Sequence, residues 1–215
     1  MLEELEKEYQ KMQIKYGDKN LDSITFGGCK NNPDICFVFM NPTGRNITSS
    51  KDWHGIKSPW IGTKNVWKLF NEIGVIDKKI YDEITSKKGS EWTETFAEEV
   101  YQNIENHKVY ITNLAKCTQI DARVLDDKVF KKYLDLFWKE MNVVKPKKII
   151  LFGNQVSSIV LDEKISVSMV RKQEFNKNGF TLYSVYYPVG NGIFNMDKSI
   201  EDIKYIINKK IWYNN

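Results

Sequence analysis

At about 150 residues per domain, a chain of 215 residues predicts a single domain spanning 1–215, large enough to bury a substantial core. Hydrophobic residues at 41% and charged residues at 28% exclude a disordered or collagen-like chain and fit a soluble globular one. Thirty-two basic against 28 acidic residues leave a net charge of +4, a mild bias toward polyanions that falls well short of a histone-like surface.

No apolar run reaches the roughly 18 residues of a membrane span, and the start MLEELEKEYQKM is too charged for a signal peptide. The expectation is a cytoplasmic monomer without membrane contact. The basic residues are almost all lysine, with arginine only at Arg45, Arg123 and Arg171, a bias that fits an AT-rich genome and carries little functional weight. Cys29, Cys36 and Cys117 form neither an even disulfide set nor a C-x-x-C pair, so they read as buried reduced thiols.

Leu2, Leu5, Tyr9, Met12 and Tyr16 recur at three- and four-residue steps and predict an N-terminal helix within 1–20, ending near Gly17. The run Ile35–Met40 is short, continuously apolar and rich in β-branched and aromatic residues, as suits a strand buried on both faces. Val109–Ala115, Lys148–Gly153 and Thr181–Tyr187 share that character. Between them lie helical stripes at Val66–Ile73 and Phe96–Ile104, a long one at Val129–Met141 stopped by Pro146, and a last one at Ile200–Ile207. Alternating strands and helices predict a three-layer α/β/α fold around a four-stranded, mostly parallel twisted sheet. Function in such folds sits beyond the carboxyl ends of the strands.

After the first strand, Pro42 forces Asn41 into an extended conformation. That asparagine either presents its amide to a cleft or makes an ordinary Asn-Pro turn. Gly55, Pro59 and Gly62 shape a loop around Trp60, which is either a packing anchor or a stacking face. Asn113 interrupts an apolar strand, and its amide needs partners from the backbone or from a ligand. Gly153 and Asn154 turn the third strand into a helix whose N-terminus suits an anion. The fourth strand runs into YYPVGNGIFN, where Gly190 and Gly192 flank Asn191 and push Ile193 and Phe194 outward; apolar tips of this kind pack back on the domain or wedge between bases.

Taken in order, these segments resemble the uracil-DNA glycosylase superfamily from about Ile35 to Phe194. MNP (Met40–Pro42) resembles the first motif in its asparagine form, found in the mismatch-specific and single-strand-selective branches. The stretch Gly55–Gly62, with PWIG, resembles the G-x-P-F-V-G loop of the iron–sulphur branch, with Trp60 where a phenylalanine stacks on the base. YITNLAKC resembles that branch's second-strand motif, with Asn113 at the base-reading asparagine, and PKKIILFGNQ resembles its P-K-x-I-x-x-L-G segment. YYPVGNG stands where the superfamily has H-P-S and its intercalating loop. Here Tyr187 replaces the histidine and Val189 the serine. Cys117 matches one cluster cysteine and Cys29 is a candidate for another; the remaining partners are missing, so the expectation is no iron–sulphur cluster, no metal and no cofactor.

The resemblance implies a base-flipping DNA glycosylase for uracil or a related damaged or modified base, with DNA as its partner. Asn41 would orient the attacking water. Tyr187 would donate a hydroxyl in the histidine's place, and His54 is either a participant or a solvated loop residue. Met40, Pro42, Trp60 and Asn113 would contact the base, and Asn154, Gly190, Asn191, Ile193 and Phe194 the DNA. Asn41, Asn113 and Trp60 are expected to converge on one slot for a pyrimidine. The alternative is a weak or inactive glycosylase-like nucleic-acid-binding protein. A flavodoxin-like small-molecule enzyme is disfavoured, because no G-x-G-x-x-G or Walker-type loop follows any strand.

Overall fold

The computed structural model describes residues 1–122 and 125–209. Helix α1 (Leu2–Tyr16) buries Leu5, Tyr9 and Gln13 and stops at Gly17, as its periodicity predicts. The four apolar runs become four parallel strands: β2 (Ile35–Phe39), β3 (Val109–Asn113), β4 (Lys148–Phe152) and β6 (Phe180–Val185). They lie in the order β3-β2-β4-β6.

The sheet has six strands rather than four. Short antiparallel strands close both edges: β1 (Phe26–Gly28) against β3, and β5 (Glu174–Lys177) against β6. β1 is three residues long with two glycines, too brief for any periodicity. β5 did leave a sequence signal. Asn178 and Gly179, at φ 51° and 81°, form the tight connection that Asn-Gly favours between antiparallel strands.

Side chains alternate across the sheet because the strand repeat is two residues. Ile35, Phe37 and Phe39 face a layer made by α2 (Asn65–Glu72), α3 (Lys78–Ser86), α4 (Glu94–Asn106) and α8 (Met196–Asn208). Cys36 and Val38 face α1, α5 (Asp127–Lys131), α6 (Leu134–Val144) and α7 (Asn154–Leu161). Two covered faces make continuously apolar strands stable. α5 and α6 replace the single helix expected over Val129–Met141, with a break at Lys132 and Tyr133. α3, a helix of the first layer, carries only Ile80 and Ile84 as buried residues and has too short a stripe to stand out in the sequence.

A polar network crosses the second layer. Glu140 and Lys116 are fully buried and 2.9 Å apart. Glu140 also accepts from Tyr9 Oη at 2.6 Å, Thr112 Oγ1 at 2.7 Å and Tyr110 Oη at 3.1 Å. Lys116 donates to Thr112 Oγ1 at 2.7 Å and to the Asn113 carbonyl. Burial pushes the Lys116 ammonium below its ordinary range, opposed by the Glu140 carboxylate. It pushes the Tyr9 and Tyr110 phenols up, reinforced by the same carboxylate. Every polar atom at the centre of this network has a partner, which is what makes a buried charge pair tolerable.

Candidate active site

The segments that leave β2 and β3 are strapped together. Leu114 N–H donates to the Phe39 carbonyl at 2.8 Å, Ala115 N–H to Met40 at 3.0 Å, and Gln119 N–H to Pro42 at 3.1 Å. Thr43 and Gln119 add an isolated parallel bridge. The strap fixes Asn41 at the strand end, half-buried, with Nδ2 donating to the Pro42 carbonyl at 3.1 Å.

A cavity of about 730 Å³ lies over the carboxyl ends of β2, β4 and β6. From the first come Met40, Asn41, Thr43 and Arg45; from the second Gly153, Asn154 and Gln155; from the third Tyr186, Tyr187 and Val189. Gly190, Asn191, Gly192 and Asn195 add to it from a turn of 3₁₀ helix over Gly190–Asn195, and Ala122 and Val167 also line it. Gly192 is obligatory there, since a Cβ would stand 1.9 Å from the Tyr187 carbonyl oxygen. Among the described residues the wall holds one cation, Arg45, and no carboxylate, histidine or lysine. A cation without an opposing carboxylate suits an anion better than a cation there.

Tyr187 is half-buried and meets Phe39 edge-on at 6.3 Å. Burial pushes its phenol up, so at neutral pH the ring carries an O–H able to donate. The fold thus brings Asn41 and Tyr187 to one cavity together with Met40, Asn154, Gly190 and Asn191.

Trp60 and Asn113 are not in that wall; they adjoin it through Phe39. Asn113 is the strand partner of Phe39 and is 2% exposed. Trp60 stands edge-on against the Phe39 ring at 4.8 Å. Phe39 is itself fully buried, and it stands between the cavity wall that holds Asn41 and the side chains of Trp60 and Asn113. Both outlying residues nonetheless share one feature. Asn113 Nδ2 and Trp60 Nε1 are buried donors without a hydrogen-bond partner among the described residues. Trp60 is also held at φ 69°, a left-handed conformation that costs a residue other than glycine on the order of 1–3 kcal/mol. Its carbonyl, which accepts from Thr63 Oγ1 at 2.7 Å and Trp67 Nε1 at 3.2 Å, keeps it there.

The remaining residues expected from sequence fall at the margins. Pro42 is buried beneath the strap. His54 is exposed, its backbone N–H held by the Glu94 carboxylate at 2.9 Å, and it does not reach the cavity wall. Asn154 opens α7, with Oδ1 accepting from Val167 N–H at 3.0 Å. Ile193 is 47% and Phe194 89% exposed, so the apolar tip projects outward rather than packing back. Sequence reading missed Arg45, although an arginine in a chain with three of them, four residues beyond Asn41, was a readable signal. Cys29, Cys36 and Cys117 are buried, and among the described residues no three His, Cys, Asp or Glu gather closely enough to hold a metal ion. These side chains do not fit an iron–sulphur cluster.

A mostly parallel sheet covered on both faces, with a cavity at the carboxyl ends of its strands, defines an α/β protein of the kind that binds ligands there. The family model for the uracil DNA glycosylase superfamily matches residues 26–198, and the chain belongs to that superfamily. Membership supports DNA glycosylase activity in general, a hydrolytic step of DNA repair carried out on a DNA substrate. A search of curated proteins found no match. Among the described residues no helix is long and apolar enough to cross a membrane.

Proposed function

We propose that the protein hydrolyses the N-glycosidic bond of uracil, or of a related damaged or modified base, in a nucleotide flipped out of DNA. The observation that carries this reading is the pairing of a carboxylate-free polar cavity, bearing Asn41 and Tyr187, with a rim that projects Phe194 at 89% exposure. A base inside a duplex is out of reach, and extruding it costs a few kcal/mol. An apolar wedge at the rim offsets part of that by filling the vacated step.

In this account the Asn41 amide orients a water toward C1′ of the sugar. The glycosidic bond breaks, water oxygen bonds to C1′, and the proton lost by that water ends on the departing base. Tyr187 O–H donates to the base as negative charge builds on it. Asn113 and Trp60 supply unpaired donors next to Phe39; a base reaches Asn113 only when side chains around Phe39 give way, since the amide is 2% exposed. Among the described residues the wall offers no amine nucleophile, which favours a monofunctional enzyme that leaves the strand intact.

The reaction is slow by design. Without a general base the chemistry forfeits about 10²–10⁴ in rate. Weaker stabilisation of the leaving base costs about another 10²–10³. Uracil-containing single-stranded and U·G duplex oligonucleotides, incubated with the protein and then treated with alkali, should break at the uracil. Strand breakage by wild type no greater than by Asn41→Ala overturns the reading. The same lack of a basic group favours one alternative, a DNA-binding relative without chemistry, for which binding is salt-dependent and no abasic site forms.

A further inference from the structure

The turn that carries Phe194 separates two depressions. Gly190, Asn191, Gly192 and Asn195 face the cavity already described. Ile193, Met196 and Asp197 face a second cleft of about 400 Å³, whose opposite side is formed by Lys64, Asn65 and Lys68 and, from α3, Tyr81 and Thr85. Lys64 and Lys68 are four residues apart at the start of α2 and therefore share a helix face. Both are exposed. Lys64 Nζ donates to the Thr85 carbonyl at 2.5 Å, and Lys68 has no ion pair among the described residues.

For α2 alone this is a poor arrangement. Lys64 sits at the N-cap, where the helix dipole already presents positive charge, and the first turn holds no acidic residue. Like charges at i and i+4 repel. Asp197, the carboxylate in the cleft wall, lies in the first turn of α8 and counters that helix's dipole instead. A polyanion lying along α2 relieves both conflicts at once. Four residues of helix rise about 6 Å, roughly the advance of two phosphates along one DNA strand at about 3.4 Å each.

We propose that this cleft is a second DNA subsite, which grips two alternate phosphates (one and the next but one) of the strand beyond the Phe194 wedge while the flipped nucleotide occupies the cavity. The inference rests on the glycosylase reading. A wedge opens a base step only when the backbone is held on both sides of it; Arg45 stands on the cavity side, Lys64 and Lys68 on the other.

The test compares binding of a uracil-containing duplex by Asn41→Ala protein with and without Lys64→Gln and Lys68→Gln, from 50 to 200 mM salt. The expected result is a log–log salt slope shallower by about 1.8, at about 0.9 per lost phosphate contact. Removing two exposed lysines from the other side of the sheet (Lys7→Gln with Lys139→Gln) should leave the slope unchanged, and thermal unfolding of the α2 variant should show no loss of stability. If DNA binds and wild type forms abasic sites while the α2 slope is unaltered, or falls no more than the control's, the subsite is overturned and the glycosylase reading stands. If the duplex binds to none of these proteins and wild type forms no abasic site, both fall together.

Discussion

Thr112 and Asn113 are neighbours on β3, yet they point into two opposite kinds of polar interior. Thr112 joins the Lys116–Glu140 network, where carboxylate, ammonium and hydroxyls satisfy one another. Asn113 faces the other layer, beside Phe39, with an amide nitrogen that has no partner. A buried donor left alone costs about 1–3 kcal/mol, so the two regions are built for different ends. The first holds α1 and α6 to the sheet. The second leaves the Asn113 and Trp60 donors unpaired near the strand ends.

Opposite responses to mutation follow, and they give the comparison its sharpest edge. Lys116→Met strands the Glu140 charge and should lower stability by about 3–5 kcal/mol, read as a large fall in melting temperature. Lys116→Met with Glu140→Leu should recover most of that loss; a double variant as unstable as the single one breaks the account of the network. Asn113→Leu should do the reverse, raising stability by up to about 1–3 kcal/mol while base release falls. A loss of stability on the scale of Lys116→Met would show that Asn113 is structural.

Smaller effects test the rim and the periphery. Phe194→Ala should change stability by less than about 0.5 kcal/mol, yet weaken product formation from duplex more than from single-stranded DNA, since only the duplex needs a wedge. On the acid side, hydrogen bonds from His107 and Asn103 hold the Asp77 carboxyl below its ordinary range, and those from Tyr183 and Lys209 do the same for Glu174. Groups with lowered values contribute their stability above the unfolded carboxylate range and lose it as pH falls through the folded values. Below about pH 4, Asp77→Asn should therefore flatten the decline in stability slightly.

Much of this arrangement was legible in the chain. The four central strands could be read because both faces are buried and their apolar runs unbroken. The edge strands could not, because FGG is only three residues long with two glycines and EFNK is short and half-exposed, although Asn178-Gly179 announced a hairpin. Asn41 stood out through the strand-end Asn-Pro step, and Tyr187 through its place after the fourth strand. Lys116 looked like any other lysine of a lysine-rich protein; only the burial of its partner Glu140, 24 positions further on, gives it meaning. Trp60 and Asn113 were recognisable as candidates, but their position beside Phe39 rather than in the cavity wall depends on side-chain packing that residue order does not encode.

The central claim is that Asn41 and the cavity around it cut a base from its sugar. Mass spectrometry of a uracil-bearing oligonucleotide after incubation with the protein tests it directly. The predicted product is an intact strand that has lost uracil and gained water, accompanied by free base, and absent with Asn41→Ala. An oligonucleotide that binds to wild type yet keeps its full mass at long incubation would contradict it.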